Sequence, residues 1–99
     1  MIQRIVIFKL KNEYCNDASR AEFAERTRRD LSALSQVRDV NVGVPADEAS
    51  EASWDIAITL KFDSMEDVKA YIVDPDHRTY VDDYASPKIE VRKAWNFEI

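Results

Sequence analysis

Glycine, cysteine and histidine are nearly absent from this sequence, with one residue of each among 99. The single glycine, Gly43, excludes every glycine-rich phosphate-binding loop. The lone Cys15 excludes an internal disulfide framework and any metal site built from paired cysteines, and we interpret it as an incidental loop residue in a reduced, intracellular setting. His77 is therefore the only imidazole that chemistry can use.

An excess of positive charge is also missing, because 14 basic residues face 19 acidic ones and the net charge is −5. Nucleic acids and anionic membranes attract positive surfaces, so we expect neither as a partner. No segment reaches the length of a membrane span, and the apolar opening Met1–Phe8 is too short for a signal peptide. We expect a cytoplasmic protein with one domain, residues 1–99.

Four segments have the hydrophobic pattern of β-strands: 2–10, 37–44, 54–62 and 89–99. The polar segment 45–53 is predicted to be a loop. Both faces of the first strand are largely apolar, which indicates that each face is covered.

Two helical regions separate these strands. Asp17 or Ser19 can cap a first helix that runs to about Ser35, with Arg20 among the charged residues of its solvated face. Its apolar stripe consists of Phe23, Ala24, Thr27, Leu31 and Leu34.

The second helical region is divided in two. The run Ser64-Met65-Glu66-Asp67 is a capping box that opens a helix. Asp74-Pro75 then interrupts it and can begin a short second helix. His77, Tyr80, Val81 and Tyr84 recur on that helix at helical spacing.

The resulting order, β-α-β-β-α-β, predicts a ferredoxin-like α+β fold whose antiparallel sheet carries both helical regions on one face. The other face, with Ile5 and Ile7 and one side of Trp54–Phe62, would be bare in a single chain. A second copy of the sheet is the simplest cover. We therefore predict a homodimeric α/β barrel.

Several segments resemble the stress-responsive A/B-barrel (Dabb) domain family. These are the opening strand 1–11, the segment 62–67, the run Tyr71-Ile72-Val73-Asp74-Pro75-Asp76-His77 and the closing Trp95-Asn96-Phe97. The run from Tyr71 resembles the family's tyrosine followed by a His-Pro-x-His turn. The resemblance spans the chain and implies a homodimeric α/β barrel.

A plant polyketide cyclase within this family has similar spacing, and the likeness implies a catalytic Tyr71 and His77, aldol-type ring closure and no cofactor. It also implies a pocket between sheet and helices, lined by Arg4, Val6, Phe8, Phe23, Thr27, Ile58, Ile72 and Tyr80. Arg4 and Asp74 stand where the family has histidines. These departures favour a different substrate.

His77 and Tyr71 suit acid–base chemistry, because an imidazole can remove a proton and a phenol can donate to a developing enolate. Arg4 can hold a carboxylate or an enolate. A structural interpretation stands beside this one: His77 bonds to backbone, Tyr71 is a core aromatic, and Arg4 pairs with Asp55 or Glu90 across strands.

Three functional hypotheses follow. The first is a cofactor-free cyclase, lyase or isomerase for a small aromatic or polyketide-like substrate. The second is a non-catalytic, stress-associated binding or structural dimer. The third is a haem-type monooxygenase of a related dimeric barrel family with His77 as axial ligand, although Asp74 and Asp76 disfavour an anionic porphyrin. No metal site is expected.

Overall fold

The chain has the ferredoxin-like α+β fold that the sequence predicts. In the computed structural model, which describes residues 1–99, one antiparallel sheet has the strand order β2-β3-β1-β4. The strands are β1 (Ile2–Leu10), β2 (Asp39–Gly43), β3 (Ile56–Phe62) and β4 (Ile89–Glu98). The α-helices are α1 (Asp17–Ser32), α2 (Glu48–Ser53), α3 (Met65–Val73) and α4 (Pro75–Thr79). None of them could cross a membrane on length and apolarity.

Shorter helical pieces complete the chain. A π-helix at Tyr80–Ala85 continues α4, and 3-10 turns lie at Asn12–Tyr14 and Ser86–Lys88. Ser64 caps α3 and Asp74 caps α4, as predicted, by accepting hydrogen bonds from backbone N–H groups in the first turn.

The start of α1 differs from the prediction. Asn16, rather than Asp17 or Ser19, is the N-cap, and its side chain accepts a hydrogen bond from the Ser19 N–H at 2.9 Å. The helix also ends at Ser32 instead of reaching Ser35. Asn, Asp and Ser are all favourable N-cap residues, so the residue types at this end of the helix did not show which of them is the cap.

The prediction of a loop at 45–53 is wrong for its last six residues, which form α2. Asp47 caps this helix by accepting from the Ser50 N–H at 2.8 Å. Glu and Ala are good helix formers, and a polar sequence conceals a helix that buries no side chain. β2 and β3 each begin two residues later than predicted, at Asp39 and Ile56.

The core lies between the helices and the inner face of the sheet. Ile56, Ile58, Leu60 and Phe62 of β3 are at most 1% exposed. The predicted stripe of α1 packs onto them and is fully buried: Phe23, Ala24, Thr27, Leu31 and Leu34. The inner face is thus covered by the chain itself.

Arg20 is not on a solvated face, which corrects the prediction. It is 4% exposed, and its Nε donates to Asp55 Oδ1 at 2.9 Å. Arg20 precedes Phe23, Ala24 and Thr27 by three, four and seven positions, so the helical period itself directs it inward. The residue type obscured that signal.

The outer face of the sheet is partly apolar. Ile5 and Ile7 of β1 are half-buried, whereas Val91, Trp95 and Phe97 of β4 are exposed. The prediction that β3 also leaves an apolar side bare is wrong: its outer side carries Ala57, Thr59 and Lys61. Its apolar residues all alternate onto the inner face.

Candidate functional site

A small, partly enclosed cavity of about 40 Å³ lies between the inner face of the sheet and the helices. Seven of the predicted site residues line it: Arg4, Val6, Phe8, Ile58, Tyr71, His77 and Tyr80. A volume of this size admits a few water molecules. A ligand the size of an aromatic ring therefore requires the walls to move.

Six residues that the sequence did not indicate also line the cavity: Leu31, Leu60, Val81, Ala85, Ile89 and Arg92. Leu31 and Leu60 could have been predicted from the sequence. They lie on the same faces of α1 and β3 as Thr27 and Ile58, which were predicted to line the pocket. Arg92 could not be predicted, because the sequence does not show which side of β4 faces inward and the pairing with β1 decides it.

Three predicted positions do not line the cavity. Phe23 packs between Phe8 and Tyr84, with ring centroids 5.8 and 5.4 Å away. Thr27 is fully buried, and its Oγ1 lies 2.5 Å from the Tyr80 hydroxyl, which it holds in place. Ile72 is 37% exposed.

His77 enters the cavity from the first turn of α4. The side chain is 8% exposed, and Nδ1 lies 3.3 Å from the Ile72 carbonyl oxygen. A carbonyl only accepts, so Nδ1 carries the hydrogen and Nε2 keeps its lone pair. Nε2 makes no hydrogen bond within the chain and is not fully shielded from solvent. The imidazole therefore presents a basic nitrogen.

The surroundings keep His77 neutral. Burial lowers its pKa, and the positive charges of Arg78, Arg4 and Arg92 act in the same direction, against the opposing contact with the Ile72 carbonyl. A neutral imidazole is the form that accepts a proton.

Tyr71 lies against His77, and the contact is stacking. The ring centroids are 4.0 Å apart at an interplanar angle of 36°, and no hydrogen bond joins the two side chains. Burial raises the pKa of Tyr71 to about 12, although Arg4 and Arg92 oppose this. The phenol thus stays protonated and can donate. Burial also raises the pKa of Tyr80.

Arg4 pairs with neither Asp55 nor Glu90, which corrects that structural interpretation. Its Nη1 donates to Asn96 Oδ1 at 3.0 Å, and its Nε is buried without a partner. Asp55 lies near the opposite end of β1, where it accepts from the Leu10 N–H at 2.8 Å. Arg4 is thereby free to face the cavity.

The π-helix supplies Tyr80, Val81 and Ala85 to the cavity wall. Such helices are rare and often mark functional sites.

An open depression of about 290 Å³ beside Pro45 and Trp54 is larger than this cavity, but its only ionisable side chain is Asp55, which Arg20 already neutralises. No three His, Cys, Asp or Glu side chains are grouped to hold a metal ion.

The fold and the cavity together define a ferredoxin-like α+β protein with a small cavity under its helices. Residues 2–99 match the model of the family described as the Stress responsive A/B Barrel Domain, Dabb. The chain belongs to this family, as the sequence resemblance predicted. No curated protein matches the chain.

Several solved structures share the fold. A Dabb-family protein from Mesorhizobium loti superposes with a TM-score of 0.83 at 19% identity, covering 99% of this chain and 95% of that one. A dimeric protein of unknown function from Bacteroides fragilis gives 0.78 at 22%, covering 99% and 95%. A hydroxynitrile lyase from Passiflora edulis gives 0.78 at 16%, covering 99% and 92%. Identities this low establish the fold alone.

Proposed function

We propose that this protein is a cofactor-independent acid–base enzyme with cyclase, lyase or isomerase activity on a small aromatic or polyketide-like substrate. The observation that carries the proposal is the free Nε2 of a buried, neutral His77 in an apolar cavity. A buried imidazole with one nitrogen bonded to backbone and the other unbonded is arranged as a base.

Three polar side chains of the cavity, those of His77, Tyr71 and Arg4, have a part in this chemistry. Nε2 of His77 removes a proton from the carbon beside a carbonyl, or from the hydroxyl whose oxygen becomes the carbonyl in a cleavage. The Tyr71 phenol, which keeps its proton, donates to the developing enolate oxygen. Arg4 adds a fixed positive charge at the same cavity. Stacking on Tyr71 fixes the plane of the imidazole.

The solved structures lend support to the lyase branch of the proposal. One protein that shares the fold is named a hydroxynitrile lyase. That name belongs to the Passiflora edulis protein, and it indicates that the fold can host carbon–carbon cleavage.

Two small probes test the proposal without knowledge of the substrate. Deuterium exchange at the methyl group of acetophenone, followed by proton NMR, reports proton removal beside a carbonyl. Release of benzaldehyde from mandelonitrile reports cleavage. We expect the protein to accelerate at least one reaction over free imidazole, and His77→Gln to lose on the order of 100-fold of that rate.

Tyr71→Phe is the second variant, because it preserves the ring stack and removes only the hydroxyl. It should retain mandelonitrile and acetophenone binding but lower the rate by about tenfold or more. Equal rates for the original protein and His77→Gln would overturn the proposal.

The small volume of the cavity favours a second candidate, a non-catalytic binding or structural protein. It predicts no acceleration of either probe reaction at any protein concentration. The haem alternative fits less well, because a porphyrin is many times larger than the cavity.

We also propose that the chain forms a homodimer through the outer face of its sheet. Trp95 and Phe97 leave an exposed apolar surface on β4 next to Ile5 and Ile7 of β1, and Val91 lies beyond Lys93 on the same face. A matching face on a second copy covers this surface by two-fold symmetry. The Bacteroides fragilis protein of the same fold is described as dimeric.

A further inference from the structure

We propose that the cavity is a carboxylate site, in which Arg4 and Arg92 together hold the carboxylate of the substrate. The inference rests on the proposed function of the same cavity and names its substrate class, a small aromatic or polyketide-like acid. Four observations carry it: the pairing of the other arginines, the placement of these two, an unsatisfied donor, and the absence of acid from the cavity wall.

The other arginines of the chain are all paired with carboxylates. Six of them form salt bridges to Asp or Glu: Arg20, Arg26, Arg28, Arg29, Arg38 and Arg78. Arg4 and Arg92 form none, and both line the same cavity. In a chain with 19 acidic residues and a net charge of −5, two unpaired arginines at one place form a distinct local feature.

The sheet places the two arginines on one face. In the register of β1 and β4, Arg4 lies opposite Asn96 and Arg92 lies opposite Phe8. Phe8 and Arg4 are both inner-face residues of β1, so Arg92 points to the same side. Their backbones stand about four residues, or roughly 13 Å, apart along the strand. Both side chains nevertheless line the same cavity.

Arg4 carries an unused donor. Nη1 bonds to the neutral Asn96 amide, while Nε is buried without any partner. Such a donor destabilises the empty protein, because the hydrogen bond it made with water is not replaced. A carboxylate oxygen satisfies it and also neutralises the charge. Burial, and then the neighbouring Arg92, lower the pKa of Arg4, which an anion between the two would reverse.

The rest of the wall selects the ligand. It contains no Asp or Glu, and most of it is apolar, with Val6, Phe8 and Ile58 at the sheet. An apolar body with one carboxylate complements this better than inorganic phosphate, which carries more charge and no apolar part. Arg92 also borders an open depression beside Ser86 and Glu90, so it stands where a ligand would enter.

Benzoate and its neutral counterpart benzamide test the inference. Titration of each into the intact protein, followed by the Arg Nε–H signals in nitrogen-15 NMR, should show benzoate binding with a shift of the Arg4 signal. Benzamide should bind at least about tenfold more weakly. Arg4→Gln and Arg92→Gln should each weaken benzoate by about tenfold or more and leave benzamide unchanged.

Arg38→Gln is the matched control. It removes the same charge from the molecule, but Arg38 pairs with Asp63 away from the cavity. It should bind benzoate as the original protein does. Equal affinities for benzoate and benzamide, tighter binding of inorganic phosphate than of benzoate, or a loss in Arg38→Gln as large as in Arg4→Gln would each overturn the carboxylate site.

His77→Gln separates this inference from the proposed function. Arginine-dependent benzoate binding that persists in His77→Gln supports the carboxylate site even if neither probe reaction is accelerated, a result that would overturn the proposed enzyme alone. Accelerated probe reactions without benzoate binding would overturn the carboxylate site alone.

Discussion

His77 owes its tautomer to a break in the backbone. Asp74 and Pro75 end α3, and the Asp76 N–H, which would meet the Ile72 carbonyl in a continuous helix, bonds to the Asp74 side chain at 2.8 Å instead. The carbonyl is left for Nδ1 of His77. The interruption that the sequence displays as Asp74-Pro75 thus determines which imidazole nitrogen is basic.

The lowered pKa of His77 makes stability depend on pH. Because the unfolded chain binds a proton near the ordinary value of 6.5 while the native chain does so only at lower pH, the free energy of unfolding falls as pH drops below that value. Urea unfolding at about pH 7.5 and about pH 5 measures this loss. We expect a larger loss for the original protein than for His77→Gln.

His77 is the only histidine, so the comparison isolates one group. The carboxylates titrate at lower pH and are common to both proteins. An equal loss of stability in the two proteins would contradict the assignment of a depressed pKa.

Some of the residues at the cavity could be predicted from the sequence, and others could not. Resemblance brought Tyr71, His77 and Arg4 together, and the structure does place them at one cavity. It did not distinguish stacking from hydrogen bonding between Tyr71 and His77, since the geometry depends on how α3 and α4 meet. Arg92 was missed because it comes from a strand whose register is set by its pairing with β1.

At the scale of elements, Asp55, which directly precedes β3, connects this strand to β1 and α1. It is fully buried and accepts from the Leu10 N–H, from Arg20 of α1 and from Lys9 of β1. Burial alone would raise its pKa, but the Leu10 N–H and Arg20 together lower it below the usual value. Arg20 in turn reaches Glu51 of α2 at 3.2 Å.

Asp55→Asn should destabilise the protein by about 3 to 5 kcal/mol, because it leaves Arg20 buried without its counter-charge. Chemical denaturation measures the difference. The matched control is Glu51→Gln, which removes an exposed partner of the same arginine and should cost roughly 0.5 kcal/mol or less. Similar costs for the two variants would show that the buried pair is not the anchor.

Elements with a regular hydrophobic period could be predicted from the sequence, and elements without such a period could not. β1, α1 and α3 bury regular stripes, so their positions follow from the sequence. α2 buries nothing, and the π-helix differs from an α-helix by one inserted residue per turn, which leaves no trace in composition. The π-helix nevertheless contributes Tyr80 to the cavity.

On the scale of the whole molecule, the two faces of the sheet differ in what covers them. The inner face forms the core and the cavity. The outer face leaves Trp95 46% and Phe97 51% exposed, next to half-buried Ile5 and Ile7. Large aromatic side chains in one patch are typical of a surface that a partner covers.

Trp95→Glu should convert the proposed dimer to a monomer, because a carboxylate at the centre of an apolar contact would be buried unpaired on both sides of the two-fold axis. Light scattering coupled to size-exclusion chromatography measures the mass. Val73→Glu is the control, since Val73 is 71% exposed and lies away from the sheet. A monomeric original protein, or an unchanged mass for Trp95→Glu, would contradict the dimer.

The sequence by itself determined the order of strands and helices, the inward stripes, the break at Asp74-Pro75 and the family. These depend on local period and capping, which neighbouring residues decide. Only the tertiary structure decided that Arg20 pairs with Asp55, that Arg4 and Arg92 line one cavity, and that Thr27 bonds to Tyr80. Those outcomes depend on strand register and on contacts between residues far apart in the chain, and no local pattern encodes either.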